Sequence, residues 1–95
     1  MSFATDRSVE LTVTGKVIGV DFRNWVAREG TRLGLGGYVR NNSDRSVSIE
    51  AEGPTDAIDN FIELVRRGPE GAIVEGVDVR EGSESHGYAG FQVEY

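Results

Sequence analysis

The run Gly15-Lys16-Val17-Ile18-Gly19-Val20-Asp21-Phe22-Arg23 is the stretch of this chain whose residue types and spacing point to chemistry. It reads as the end of a strand, a glycine-containing loop and the start of a helix. A loop of that kind can aim successive backbone N–H groups at one point and so form an anion-binding nest. The helix N-terminus adds unpaired N–H groups and the positive end of its dipole. Arg23, in the first turn, can present a planar fork of donors to phosphate oxygens. The spacing is not that of the nucleotide-binding GxxxxGK[ST] loop. Glycines before a helix also serve as plain turn residues, and a first-turn arginine as a solvated one, so spacing alone leaves both open. Asn41 opens the cluster Asn41-Asn42-Ser43-Asp44-Arg45, whose composition suits a turn.

Other catalytic residue types are scarce. The chain has no cysteine and one histidine, His86. That excludes a disulfide framework, thiol catalysis and thiolate or His-rich metal sites. His86 sits in a polar run and reads as a solvated loop residue. The balance of 16 acidic to 10 basic residues, a net charge of −6, argues against nucleic acid. It also disfavours the approach of small anions, so any anion site must be local and specific. No apolar run approaches the roughly 20 residues of a membrane span. The N-terminus lacks a signal-peptide stretch, which makes the cytoplasm the expected location.

The elements that must position these residues follow from periodicity. The 95 residues make one small domain, expected over 8–95, with 1–7 a flexible N-terminal segment. Val9, Leu11 and Val13 alternate with polar residues, the pattern of a half-buried strand over 8–14. Phe22, Val26, Gly30 and Leu33 form one helical stripe, with Asp21 as a possible N-cap and Gly34 as the residue beyond the helix end. Strands over 36–41 and 46–52 flank the turn cluster as a β-hairpin. Pro54 suits the first position of a second helix, whose stripe is Ala57, Ile58, Phe61, Ile62 and Val65 and which stops at Gly68-Pro69. A strand over 72–80 carries a bulge near Gly76, and a short strand over 91–95 ends the chain. The order β-α-β-β-α-β predicts an α+β, ferredoxin-like split β-α-β fold: an antiparallel sheet with two helices on one face and a short C-terminal strand.

Two motifs in this order resemble the acylphosphatase family. The first is Gly15-Lys16-Val17, Gly19-Val20 and Phe22-Arg23; the second is Leu33-Gly34-Leu35 followed by Gly37-Tyr38-Val39-Arg40-Asn41. A later run, from Val47 to Glu52-Gly53 and on to Arg67-Gly68-Pro69, is similar too, so the resemblance covers roughly Val9 to Tyr95. It implies a small enzyme, without metal or cofactor, that hydrolyses a carboxyl phosphate to carboxylate and inorganic phosphate. It makes Arg23 the phosphate-binding arginine and Asn41 the residue that orients the attacking water. The backbone N–H groups of Lys16, Val17, Ile18, Gly19 and Val20 would line the phosphate cradle. The implied partner is a small-molecule acyl phosphate rather than nucleic acid or a membrane, and the default assembly is a monomer.

The chain departs from the family pattern at three positions. Ile18 stands where glutamine is usual, Asp21 where glycine or an aromatic residue is common, and Arg45 where glycine is usual after Asp44. A carboxylate at Asp21 would repel a phosphate dianion if it pointed inward, whereas solvent and salt would screen it on the outside. These departures motivate the alternative of a weakly active or inactive member that binds an anion or acts as an interaction domain. A nucleic-acid-binding module on the same fold class would need exposed sheet aromatics and a basic surface. No such run is present.

Overall fold

The computed structural model describes residues 6–82 and 86–94. Along the chain lie β1 (Asp6–Lys16), α1 (Phe22–Arg32), β2 (Gly36–Asn41), β3 (Val47–Pro54), α2 (Thr55–Arg67), β4 (Ile73–Glu81) and β5 (Phe91–Glu94). They form one five-stranded sheet in the order β4-β1-β3-β2-β5. The expected ferredoxin-like α+β arrangement is therefore present.

The alternation in β1 arises because one face is buried. Val9, Leu11 and Val13 are at most 1% exposed, and Val39, Val47, Ile49 and Ala51 continue the same layer on β2 and β3. Phe22 and Val26 of α1, with Ile58, Phe61 and Val65 of α2, close the core from the helix side. The apolar stripes of both helices thus meet the apolar face of the sheet. Beyond α1, Gly34 takes φ 75°, and the N–H groups of Leu33, Gly34 and Leu35 return to carbonyls of the last turn. That is the expected glycine termination.

Several boundaries differ from the pattern read in the sequence. β1 begins at Asp6, so part of the segment expected to be flexible is strand. Arg7 holds that end: its guanidinium donates to both carboxylate oxygens of Glu81, at 3.1 and 2.9 Å, and also to Asp59 on α2. β1 also runs on through Gly15 and Lys16 after a register shift at Thr14/Gly15, which leaves Glu75 unmatched opposite it. This is the expected bulge, one residue from Gly76. Pro54 is the N-cap of α2 rather than its first helical residue, since its ψ of 145° is extended.

The sheet is mixed rather than antiparallel throughout. β1, β2, β3 and β4 pair antiparallel, but β5 runs parallel to β2, from Gly37 opposite Phe91 to Arg40 opposite Glu94. The reason is topological. β4 finishes at the end of the sheet where β2 begins, and on the opposite edge, so the chain must cross that end before it can pair. The Glu52 carboxylate secures the crossing: it accepts from the N–H groups of His86, Gly87 and Tyr88 at 2.7, 2.9 and 3.4 Å. Glu50 accepts from the Tyr88 and Tyr38 hydroxyls at 2.6 and 3.2 Å, and burial together with this carboxylate raises both phenol pKa values. His86 is exposed as expected, but its ring lies 3.6 Å from Glu50 and its backbone belongs to this anchor.

Two substitutions test the packing. Gly30 lies in the middle of α1, where alanine would add about 1 kcal/mol of helix propensity. A Cβ there, however, would lie 2.4 Å from the Phe91 ring, which is itself packed on Phe61. Gly30→Ala is expected to lower the urea midpoint, with a net loss of about 1–3 kcal/mol typical of overpacking. Arg45 is a non-glycine residue at φ 74°. Arg45→Gly is expected to raise stability by about 1 kcal/mol in the same measurement.

Candidate active site

The loop between β1 and α1 is pinned at both ends by the core. Val17 and Phe22 are each 1% exposed, and only Ile18, Gly19, Val20 and Asp21 lie between them. To span so little chain and still enter the helix, the backbone turns left-handed at Gly19 (φ 77°) and at Asp21 (φ 62°), while Ile18 and Val20 keep negative φ. Alternation of this kind turns consecutive N–H groups toward one side, the geometry of an anion nest. Among the described residues, the N–H groups of Ile18, Gly19 and Val20 make no backbone hydrogen bond.

The helix end continues the same donor surface. Asp21 occupies the N-cap position, but its side chain makes no capping hydrogen bond. The expected cap is therefore not formed. The left-handed backbone directs the carboxylate along the outside of α1, where Asn24 Nδ2 donates to it at 2.8 Å and Arg28 Nη2 lies 3.6 Å away. A cationic partner on the outer face answers the question Asp21 raised: its charge is engaged by Arg28 and Asn24.

Asn41 arrives from a different direction. It is the last residue of β2, paired with Val47 at the mouth of the hairpin. Its Oδ1 is buried and has no hydrogen-bond partner. Leaving a buried acceptor unsatisfied costs about 1–3 kcal/mol, so such a group calls for an explanation. Arg23 and Asn41 line one cleft of about 300 Å³, together with Val17, Gly19, Asp21, Phe22 and Asn24. Asn41 thus lines the same cleft as a guanidinium and the loop. That set can bind a tetrahedral anion and hold a water beside it.

The remaining loop side chains face elsewhere. Lys16, Ile18 and Val20 line a separate cleft with Gly15 and Arg45. None of the three lines the Arg23–Asn41 cleft, and Ile18 and Val20 pack against the hydrophobic core. A contact that sequence reasoning missed involves β5. Arg23 Nη1 donates to the Glu94 carbonyl at 3.2 Å, across 71 residues of chain. No local pattern could have signalled it, because any residue's carbonyl can serve and only the parallel seating of β5 brings this one near.

Known proteins are similar to this chain in sequence and in fold. A family model described as Acylphosphatase matches residues 9–93. The chain is 47% identical over 93 residues to an acylphosphatase of Salinibacter ruber, covering 98% of each. It is 43% identical over 88 residues to one of Caldivirga maquilingensis, covering 92% of this chain and 93% of that protein. The solved structure of an acylphosphatase from Bacillus subtilis superposes with a TM-score of 0.91 at 35% identity, covering 94% of this chain and 99% of that one.

The position of Asp21 sets up a test by calorimetric titration with inorganic phosphate. Asp21→Asn is expected to tighten binding by about two-fold at low salt, the scale of an exposed charge interaction. Arg28→Ala, which frees the carboxylate, is expected to weaken binding by a similar factor. Both differences should vanish in about 1 M salt, where the Debye length is about 3 Å.

Proposed function

This chain belongs to the acylphosphatase family and hydrolyses acyl phosphates, and we propose that its 16–20 loop and Arg23 hold the phosphoryl group while Asn41 orients the attacking water. The observation that carries this assignment is that Asn41 and Arg23 line one cleft together with Val17 and Gly19 of the loop. A water in that cleft would be held by the Asn41 amide. It would then sit beside the phosphorus of a group bound to the loop.

The chemistry asks for little more. A carboxyl phosphate is a mixed anhydride, and its carboxylate leaves without a strong general acid. Transfer through a loose transition state is promoted mainly by positioning and by stabilising charge on the phosphoryl oxygens. The N–H groups of Ile18, Gly19 and Val20, the first-turn N–H groups of α1 and the Arg23 guanidinium supply fixed donors for those oxygens. The Glu94 carbonyl limits the guanidinium's freedom, so less ordering is needed on binding. Water attacks phosphorus, the phosphorus–oxygen bond to the acyl group breaks, and the water's proton passes to a phosphoryl oxygen. The products are a carboxylate and inorganic phosphate. Asn41 accepts from the water through a neutral amide, which aligns it without serving as a base.

The proposal includes action as a single-domain monomer in the cytoplasm on a small-molecule substrate. The net charge of −6 supports a small substrate over nucleic acid.

Hydrolysis of benzoyl phosphate tests the assignment. Arg23→Ala and Asn41→Ala are each expected to lower kcat/KM by about 10²–10³, the usual effect of removing one transition-state contact. Arg23→Ala should also abolish inhibition by inorganic phosphate, whereas Asn41→Ala should largely retain it. Wild-type turnover no faster than buffer, or full activity in either variant, would overturn the proposal.

A further inference from the structure

Glu52 is a buried charge that the hydrolytic reaction does not use. It is 8% exposed, and because Ala51 beside it faces the core, Glu52 lies on the opposite face of β3. Its carboxylate accepts from the backbone of 86–88, from the His86 N–H at 2.7 Å, the Gly87 N–H at 2.9 Å and the Tyr88 N–H at 3.4 Å. A buried carboxylate adds little net stability even when it is well paired. Several N–H groups converging on one acceptor do, however, define the path of the backbone that carries them.

Glu50, two residues earlier on the same face, holds the Tyr88 side chain. The Tyr88 hydroxyl donates to it at 2.6 Å, and the Tyr88 ring meets the Tyr38 ring edge to face with centroids 6.0 Å apart. The Tyr88 backbone lies close on β2, where a Cβ on Gly36 would be 2.8 Å from the Tyr88 carbonyl oxygen. The Gly37 N–H then donates to the Gly90 carbonyl at 3.0 Å, and the parallel pairing of β5 begins.

β5 depends on such an anchor. It is an edge strand that pairs with β2 alone, from Gly37 opposite Phe91 to Arg40 opposite Glu94. So short a strand holds its own register weakly. Phe91 seats it against Phe61 on the helix side, and the two carboxylates seat the approach to it on the other face. The far end of β5 reaches the site: the Glu94 carbonyl accepts from Arg23 Nη1 at 3.2 Å. A slip of β5 by one residue would move that carbonyl by about 3.3 Å, roughly the length of the bond itself.

We propose that Glu52, aided by Glu50 through Tyr88, is a positioning residue for acyl phosphate hydrolysis: the carboxylates fix the register of β5 from one end, and β5 holds the Arg23 guanidinium from the other. The inference rests on the assignment of Arg23 to the phosphoryl group. Arg23 then meets the phosphoryl oxygens with its rotamers already restricted. Loosening the clamp restores freedom that binding must remove again.

The test measures benzoyl phosphate hydrolysis and its inhibition by inorganic phosphate in wild type, Glu52→Gln, Tyr88→Phe, and Arg23→Ala with and without Glu52→Gln. Glu52→Gln replaces one acceptor oxygen by a donor and is expected to raise KM and the phosphate inhibition constant together by about five-fold, the scale of one side chain's lost order. Its kcat should stay within about two-fold of wild type, because the lost contact acts on ground state and transition state alike. Tyr88→Phe, which removes only a hydroxyl, should raise the same two constants by about two-fold. In Arg23→Ala, adding Glu52→Gln should change kcat/KM no further, since the group it positions is gone. Amide hydrogen exchange in Glu52→Gln should quicken at Gln92 to Glu94 and not in β1. Wild-type constants in both clamp variants, or the same loss from Glu52→Gln whether or not Arg23 is present, would overturn the proposal. If Glu52→Gln does not fold, the two constants in Tyr88→Phe decide alone. Absence of benzoyl phosphate hydrolysis in wild type would instead overturn the hydrolytic assignment.

Discussion

The short span between Val17 and Phe22 governs the site. Both side chains are buried, so on the way from the inner strand β1 to α1 only four residues lie between the two anchors. The chain makes the passage by turning left-handed at Gly19 and Asp21. Among the described residues those turns leave the N–H groups of Ile18, Gly19 and Val20 without backbone partners, available as donors in the proposed site. Core packing thus creates the polar site: the hydrophobic anchors that hold the loop taut prevent its backbone from satisfying itself. Asn41, delivered by β2 at the mouth of the hairpin, lines the same cleft, and its buried Oδ1 has no hydrogen-bond partner among the described residues. The fold tolerates both because burial of the Val, Ile and Phe layer between sheet and helices outweighs a few unsatisfied polar atoms.

Charge placement makes the proposed anion site compatible with an acidic protein. Much of the acidic surface is engaged away from the cleft. Asp59 and Glu81 bind Arg7, Glu29 binds Arg32, Asp78 binds Arg80, and Glu52 is consumed by backbone N–H groups. Asp21 directly follows the loop in sequence, and Arg28 and Asn24 engage its carboxylate. The net charge of −6 is therefore a property of the whole surface and says little about the potential inside one cleft. The protein's overall field sets how readily ligands approach, while fixed donors within a few ångströms set how they are held.

The last strand links the two ends of this arrangement. β5 must cross from the β4 edge to the β2 edge, and the Glu50 and Glu52 carboxylates anchor the crossing through Tyr88 and the backbone of 86–88. Once seated, β5 covers Gly30 with Phe91 and offers the Glu94 carbonyl to Arg23. Gly30 lacks a side chain because the Phe91 ring occupies its place. A helix position that looks weak by propensity is in fact the contact that seats the strand.

The periodicities of Val9-Leu11-Val13, of Phe22-Val26-Gly30 and of Ile58-Phe61-Ile62-Val65 determined the elements, the core and the split β-α-β order, because a buried face imposes its period on the residues that cover it. The glycine-bearing run and Arg23 likewise marked the loop and helix start, since those conformations need particular residue types. Tertiary structure alone decided the direction of β5, the capture of Arg23 by Glu94, the diversion of Asp21 to Arg28 and the division of loop side chains between two clefts. Each of these depends on where distant or exposed groups come to rest. The side chains involved carry no periodic signal, and a backbone carbonyl carries no residue identity at all.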